Sequence, residues 1–504
     1  PHGMEQFHLE IQNLYAALAQ PTEKLTVSYP VSDGKGAEKR PSFVIGRIAR
    51  LLPSISVETE SADKEYRLSA KSTALEYAGE HIGGALWQYF EGQGDAERAL
   101  AAMKDASRYT RGHLSRDAVR ALYGGAVTLS ASRMDMARSC HFAYFMRYGL
   151  KARERTGAGF DAPQIGTFVH DVMEHTLRQA KECGGLHTLS KDKLHALVRA
   201  SIEEYIDRVL PDLCEKSARF RYLFNRLCAT VERIMDEVSE ELQSSDFEPL
   251  AFELEFGADG QLPAITIREE NGTARVVGKV DRVDGWLHDG KLYLRVVDYK
   301  TGKKSFDLAE LRYGLGLQML LYLFTLKEEG QMLFGGHEIV PAGVLYTPAR
   351  EPMLRCARDT EPETIEKALK KELRRSGMVL EDPAVLQAME HSALESPCYL
   401  PIAVKRDGAV TGSLASAEQL GKLSKYVDHI LHEITQEVFA GNIDADPYAR
   451  TPQQSACTYC EFASACHFEN GCGSDRMEYI KATKNDEFWQ YIDEVNGEGA
   501  HENG

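Results

Sequence analysis

The chain has 504 residues, 43% of them hydrophobic, and a formal net charge of −17. That length carries two to four domains with a real core, and no run of about 18 apolar residues is present to cross a bilayer as a helix. The acidity weighs against a chain that coats long nucleic acid alone, because phosphate contacts need Lys and Arg, although local patches rather than the sum decide binding.

The opening Pro1-His2-Gly3-Met4 has no basic stretch followed by an apolar one, so it is not a secretion signal. A chain that opens inside a helix-like pattern reads as a piece of something longer. Residues 5–30 predict an amphipathic helix carrying Leu14, Tyr15 and Leu18, then a strand over 24–29. Residues 31–40 read as a polar loop, and 42–125 as mainly helical. Ser132 to Phe145 predicts one helix, with Ser132 and Asp135 as its N-terminal signal. Residues 166–181 predict another, with Val169, Val172, Met173 and Thr176 on its apolar stripe. Two longer helices follow, one running through Leu194, Val198, Ile202, Tyr205 and Val209, the next through Phe220, Leu227, Ile234 and Val238.

The period then changes. Residues 249–257, 275–287 and 291–299 alternate, with β-branched and aromatic residues, and predict strands. His288-Asp289-Gly290 joins the last two as a hairpin turn. A helix over 307–328, a strand over 339–347 and a helix over 416–440 follow. The tail from about 485 is acidic and Gly-rich, and is expected to fray. Strand–strand–strand–helix–strand is a mixed α/β core. No glycine-rich phosphate loop ending in Gly-Lys-Ser/Thr occurs, so that means of gripping a nucleotide is missing.

Asp281 ends one predicted strand segment, and Asp298 ends the next. If the hairpin pairs those strands, both carboxylates emerge near one another, where they can hold Mg²⁺, a cation that wants oxygen ligands. Asp298 and Lys300 are two apart and share a strand face. The lysine then reaches the attacking water or the scissile phosphate, as a base or as a charge stabiliser, while the metal ionises water and offsets charge on phosphorus. An isolated Asp-x-Lys is usually a surface ion pair beside a turn; its company here shifts the reading. His170 is a candidate metal ligand through imidazole nitrogen. Gln318 and Tyr322, one helical turn apart, are placed to contact DNA or to orient Lys300.

Ten cysteines are too sparse for a disulfide scaffold, which favours a reducing, cytoplasmic setting. Six (Cys183, Cys214, Cys228, Cys356, Cys398 and Cys472) are scattered and read as ordinary thiols. Cys140 stands apart from Cys457, Cys460 and Cys466, which are spaced C-x2-C-x5-C. Four thiolates suit Zn²⁺ or an iron–sulfur cluster. The spacing is unlike common zinc modules, which pair C-x2-C with a second close pair, and favours the cluster. Tying residue 140 to residue 457 closes a loop of roughly 320 residues and removes about 5–6 kcal/mol of unfolded-state freedom on the scale built for disulfides.

Gly166-x3-His170, Gly278-Lys279-Val280-Asp281-Arg282-Val283-Asp284, Asp298-Tyr299-Lys300-Thr301-Gly302 and Gln318-x3-Tyr322 together resemble the RecB-family nuclease domain of the PD-(D/E)xK superfamily. The resemblance implies a restriction-endonuclease-like mixed sheet flanked by helices. It implies an active site of His170, Asp281, Asp298 and Lys300 with magnesium, and the main-chain carbonyl of Tyr299 completing the metal shell. Ser130-Ala131-Ser132-Arg133, Cys140-His141-Phe142 and Tyr148-Gly149-Leu150 resemble the front of AddB-type iron-staple nucleases. Gly441 to Pro447, with Cys457, Cys460 and Cys466, resembles their back. That family usually has proline where His141 stands. The resemblance implies a [4Fe–4S] cluster on all four cysteines, DNA as substrate during double-strand-break repair, and an AddA-type helicase–nuclease partner. Leu14 to Leu25 more weakly resembles the close of a superfamily 1 helicase lobe.

The expected organisation is a helicase-like end (1–60), a helical connector (61–125), the front of the nuclease domain (126–246), its catalytic core (247–350), a peripheral segment and helix (351–440), the cysteine closure (441–475) and an acidic tail (476–504). A free-standing staple exonuclease of the CRISPR-associated type, and a non-catalytic DNA-binding scaffold, are the rival readings.

Overall fold

The computed structural model describes residues 3–31, 39–57, 67–108, 110–153, 162–211, 217–257, 260–302, 304–352, 354, 356–357, 360–451 and 453–502. Most of the loop expected at 31–40, together with Cys214, lies outside the described residues. Backbone contacts divide the chain into two units, 1–106 and 107–504.

In the first unit, α1 spans Gly3–Ala19 and α2 Phe43–Leu51. Three more helices, α3 (Lys71–Glu80), α4 (Ala85–Phe90) and α5 (Gly94–Ser107), build a small core of Trp87, Phe90 and Leu100 over Ala74, Ala78 and Ala96. The strand expected at 24–29 is not formed. No described strand lies beside it, and a lone strand leaves its backbone groups to water.

The second unit is a mixed α/β domain. Its helices are α6 (Arg116–Tyr123), α7 (Ala131–Ser139), α8 (His141–Tyr144), α9 (Ala162–Glu182), α10 (Lys191–Val209), α11 (Ala218–Gln243), α12 (Leu308–Arg312), α13 (Gln318–Glu329), α14 (Pro362–Glu372), α15 (Pro383–Met389), α16 (Ala417–Ala440), α17 (Ala463–Cys466) and α18 (Asn485–Glu502). A small three-stranded sheet holds β1 (Ala126–Leu129), β3 (Ile265–Glu269) and β4 (Gly272–Val276), of which β1 and β3 have no counterpart in the sequence expectation. The main sheet has six strands: β2 (Glu248–Phe256), β5 (Gly278–His288), β6 (Lys291–Lys300), β7 (Glu338–Pro348), β8 (Ser376–Leu380) and β11 (Leu414–Ala415). Their order across the sheet is β11-β8-β7-β6-β5-β2. A hairpin pairs β9 (Ile402–Val404) with β10 (Val410–Gly412). A further sheet holds β12 (Tyr448–Thr451), β13 (Gln454–Ser455) and β14 (Glu478–Tyr479).

β5 is antiparallel to both β2 and β6, whereas β6 is parallel to β7. The β5–β6 hairpin turns at Asp289 (φ 49°) and Gly290 (φ 76°), the left-handed pair that matches strand twist. The β6–β7 crossover passes through α12 and α13. Residues Met319 to Leu326 of α13 are all buried, as expected of a helix that is apolar all round and covered by sheet and helix.

Four expectations are corrected. The strand expected over 275–287 is two, because Val277 N–H donates to Leu129 O and turns the chain from the small sheet into the main one. The helix expected over 307–328 breaks where Gly314 and Gly316 take positive φ. The helix expected from Ser132 starts at Ala131, with Ser130 in the cap position and no side-chain cap bond, and Cys140 interrupts it in extended conformation. The tail does not fray from 485: α18 buries Phe488, Trp489 and Ile492, and packs against α16. The apolar spacing within it outweighs its acidic, Gly-containing composition.

Candidate metal centre and its nuclease family

The register of the main sheet builds the site. Arg282 pairs with Val297, so one step further Asp281 faces Asp298. Phe252 and Leu254 pair with Arg282 and Val280, so Glu253 faces Asp281 from the other side. Glu253, Asp281 and Asp298 therefore form a row across β2, β5 and β6. Tyr346 of β7, opposite Asp298, continues it.

The helix α9 brings in the imidazole. Phe168, Val169, Val172 and Met173 are buried beneath it. Arg178 Nη2 and Lys181 Nζ donate to Phe252 O and Leu250 O, both at 3.0 Å, fastening α9 to β2. His170 Nε2 then donates to Tyr299 O at 2.8 Å, and Nδ1 lies 3.3 Å from Asp281 Oδ2. The same Asp281 oxygen accepts from Tyr299 N–H at 2.9 Å. Ligand atoms of His170, Glu253 and Asp281 all lie within 4.8 Å of one another. Asp298 stands beside that trio, with its Oδ2 2.6 Å from Lys300 Nζ. Lys300 Nζ also lies 5.7 Å from the Tyr346 ring centroid.

The electrostatics are those of crowded, half-desolvated charge. Burial and the neighbouring Asp281 push the Asp298 carboxyl up to about 6, against the pull of Lys300. Burial also raises Glu253, although Lys279 lies 2.6 Å away. Burial works against a proton on His170, but the bond and charge of Asp281 outweigh it and push the ring up to about 9. Three carboxylates, an imidazole and a carbonyl turned to one spot fit a divalent cation with oxygen and nitrogen ligands.

Glu253 is absent from the sequence-predicted site. The run Ala251 to Phe256 offers two acids, Glu253 and Glu255, at alternate positions, and nothing local distinguishes them. What does is a register shift between Pro249 and Ala251, together with φ +50° at Glu253, a left-handed conformation that costs about 1–3 kcal/mol in a non-glycine residue.

Gln318 and Tyr322 do not join the metal trio. Gln318 opens α13 and donates through Nε2 to the Tyr322 hydroxyl at 3.2 Å. Both line a groove of about 690 Å³ with Ser130, Ser132 and Lys279. Gly278 makes room for them: a Cβ there would lie 2.6 Å from the Tyr322 ring and 2.5 Å from that of Phe256.

The four grouped cysteines, none in a disulfide, line a cavity of about 650 Å³. Burial pushes the Cys140 thiol up to about 12, so a thiolate there calls for a cationic partner. Protein contacts draw the same segments together. His141 N–H and Nδ1 bond to Asp446 Oδ1 (2.9 Å) and Oδ2 (2.5 Å), and Nε2 lies 3.2 Å from Glu437. Arg147 pairs with Glu461 at 2.7 Å, and Arg111 bridges Cys466 O and Asp475. The histidine that stands in place of proline thus has three bonds of its own.

The model of the PD-(D/E)XK nuclease superfamily matches residues 128–467. The chain belongs to that superfamily. Its members are typically dependent on divalent metal, and the matched span holds the whole β2–β5–β6 row, α9 and the four cysteines. Curated relatives, each named as the second subunit of an ATP-dependent helicase/deoxyribonuclease, match almost end to end. That of Ruminiclostridium cellulolyticum is 30% identical over 96% of this chain and 44% of its own length. Those of Clostridium botulinum (Loch Maree) and Caldanaerobacter subterraneus are each 29% identical over 95% and 97% of this chain, again 44% of their own. The chain thus spans under half the length of the curated relatives it matches. No described helix is long and apolar enough to cross a membrane.

Proposed function

We propose that this chain is the nuclease-bearing part of a bacterial helicase–nuclease subunit, hydrolysing phosphodiester bonds in one strand of DNA during the processing of double-strand breaks in the cytoplasm. The observation that carries the reading is the convergence of His170, Glu253 and Asp281 beside the Asp298–Lys300 pair. The relatives' names support the wider role, including a separate AddA-type subunit as partner.

Mg²⁺ is the cation proposed, held by His170, Asp281, Asp298, the Tyr299 carbonyl and Glu253. When bound, it supplies ionisation of water and charge compensation at phosphorus. The chain's own groups do the rest. Lys300 presents its ammonium beside Asp298, where it meets the charge that grows on the phosphate or takes the water's proton. Tyr322, held by Gln318, lines the groove along which the strand approaches.

We infer a [4Fe–4S] cluster on Cys140, Cys457, Cys460 and Cys466, with a structural role. Sulfur spacing supports it over zinc. Thiolates around one tetrahedral zinc stand about 3.8 Å apart, whereas the His170 trio is the only group of three such donors within 4.8 Å among the described residues. Iron and sulfide analysis of anaerobically purified protein tests it; a colourless preparation with one zinc overturns it. For the nuclease, cleavage of labelled single-stranded DNA with Mg²⁺ or with chelator is the test. Cutting that survives Asp298→Ala refutes the assigned site.

A further inference from the structure

Beyond Lys300, on the side away from Tyr322, lies a second pocket of about 320 Å³. It forms where β6 and β7 end together, since Lys300 pairs with Pro348. Four cations line it: Lys300, Lys304, Arg350 and Arg374, against a single carboxylate, Glu372. In a chain of net charge −17 such a local excess is unexpected. The cations are held loosely at their tips. Arg350 Nη2 is 3.3 Å from Glu372, and Lys304 Nζ is 3.7 Å from Glu310. The walls are firm: Phe306 N–H donates to Ser376 Oγ at 2.7 Å, and Arg374 Nη2 to Pro397 O at 2.5 Å.

Resting on the nuclease reading, we propose that this pocket seats a non-scissile phosphate group of the strand being cut, through Lys304, Arg350 and Arg374. The strand then runs from the groove of Gln318 and Tyr322, past Lys300, into the cationic pocket. Guanidinium groups recognise phosphate oxygens as planar donors, and weak ion pairs at 3.3 and 3.7 Å yield to a doubly charged or desolvated anion at little cost. The phosphate is either an internal diester or a terminal monoester, which share this chemistry.

The test uses the 504-residue chain and a short fluorescent single-stranded oligodeoxynucleotide, with and without a terminal phosphate. The Lys304→Ala/Arg350→Ala variant is expected to raise KM roughly tenfold, to change kcat by less than about twofold, and to lower the slope of log KM against log salt by about 1. Arg350→Lys restores most of the salt slope. Glu372→Gln, which removes the competing carboxylate, lowers KM, a direction that misfolding does not produce. If removing the terminal phosphate reproduces the double variant's KM, the pocket holds a strand end; if only an uncharged internal linkage does so, it holds a diester. Unchanged KM and salt slope in a double variant that melts like the wild type overturns the proposal. Anisotropy binding on an Asp298→Ala background keeps the two readings apart. A wild type that binds but never cuts defeats the nuclease reading, while the salt slopes still decide the pocket.

Discussion

The two faces of the β5–β6 pair treat charge in opposite ways. On one face Glu253, Asp281 and Asp298 crowd together with only Lys300, Lys279 and His170 as company, and burial raises Asp298 to about 6. On the other, Arg282, Asp284 and Arg295 are wholly buried yet held in a chain of ion pairs. Asp284 meets Arg282 at 2.8 Å and Arg295 at 2.9 Å. Arg295 continues to Glu241 at 3.4 Å, and Glu241 to Arg375 at 2.6 Å. Arg282 Nη1 donates to the Tyr299 hydroxyl at 2.7 Å. Strand alternation does the sorting: Asp281 and Arg282 are neighbours, as are Asp298 and Tyr299, and each pair splits between the faces. Charge balanced within the protein holds the strands; charge left unbalanced waits for a ligand.

The sharpest break of that comparison is Asp298→Ala, expected to cut DNA hydrolysis by roughly 10³-fold or more while leaving melting and DNA binding near wild type. Its counterpart across the sheet is Asp284→Ala. It leaves two buried arginines without their shared partner and is expected to cost about 3–5 kcal/mol in urea unfolding, with the folded fraction still cutting. Loss of cutting without loss of stability there contradicts the division between faces.

Acid separates the faces as well. Burial opposes ionisation of Glu241, but Arg375 and Arg295 overcome it and hold the carboxyl down to about 2. Its unfolded value is higher, so its contribution is present above the ordinary carboxylate range and is lost as pH falls from there toward 2. That loss amounts to roughly 3 kcal/mol. Glu241→Gln is expected to flatten the acid limb of a stability profile followed by circular dichroism. The smallest effect is expected from Glu253→Gln: divalent-cation affinity lower by about 10–100-fold, with unfolding free energy little changed.

Much of this was legible in the residues. Asp281, Asp298 and Lys300 sit on strands whose alternation and Asp-Gly turn fix the register, so their placement followed from local pattern. His170 lies on a helix with a plain apolar stripe. Glu253 was not legible, because a bulge in β2 and a left-handed residue choose it over Glu255, and both are tertiary events. The inward turn of Asp284 was likewise hidden, since its partners Arg295, Glu241 and Arg375 come from distant elements. The Gly314 and Gly316 pair marked the break between α12 and α13, but the strong apolar run around it masked the signal. In α18 composition misled, where Phe488, Trp489 and Ile492 carry the packing.

One face of this hairpin should bind a cation that the other has no need of. Isothermal titration of Mn²⁺ or Mg²⁺ into the metal-stripped chain and its Asp281→Asn/Asp298→Asn variant measures that directly. The predicted result is a saturable site in the wild type that disappears in the variant while melting is preserved. Equal binding by both proteins would contradict it.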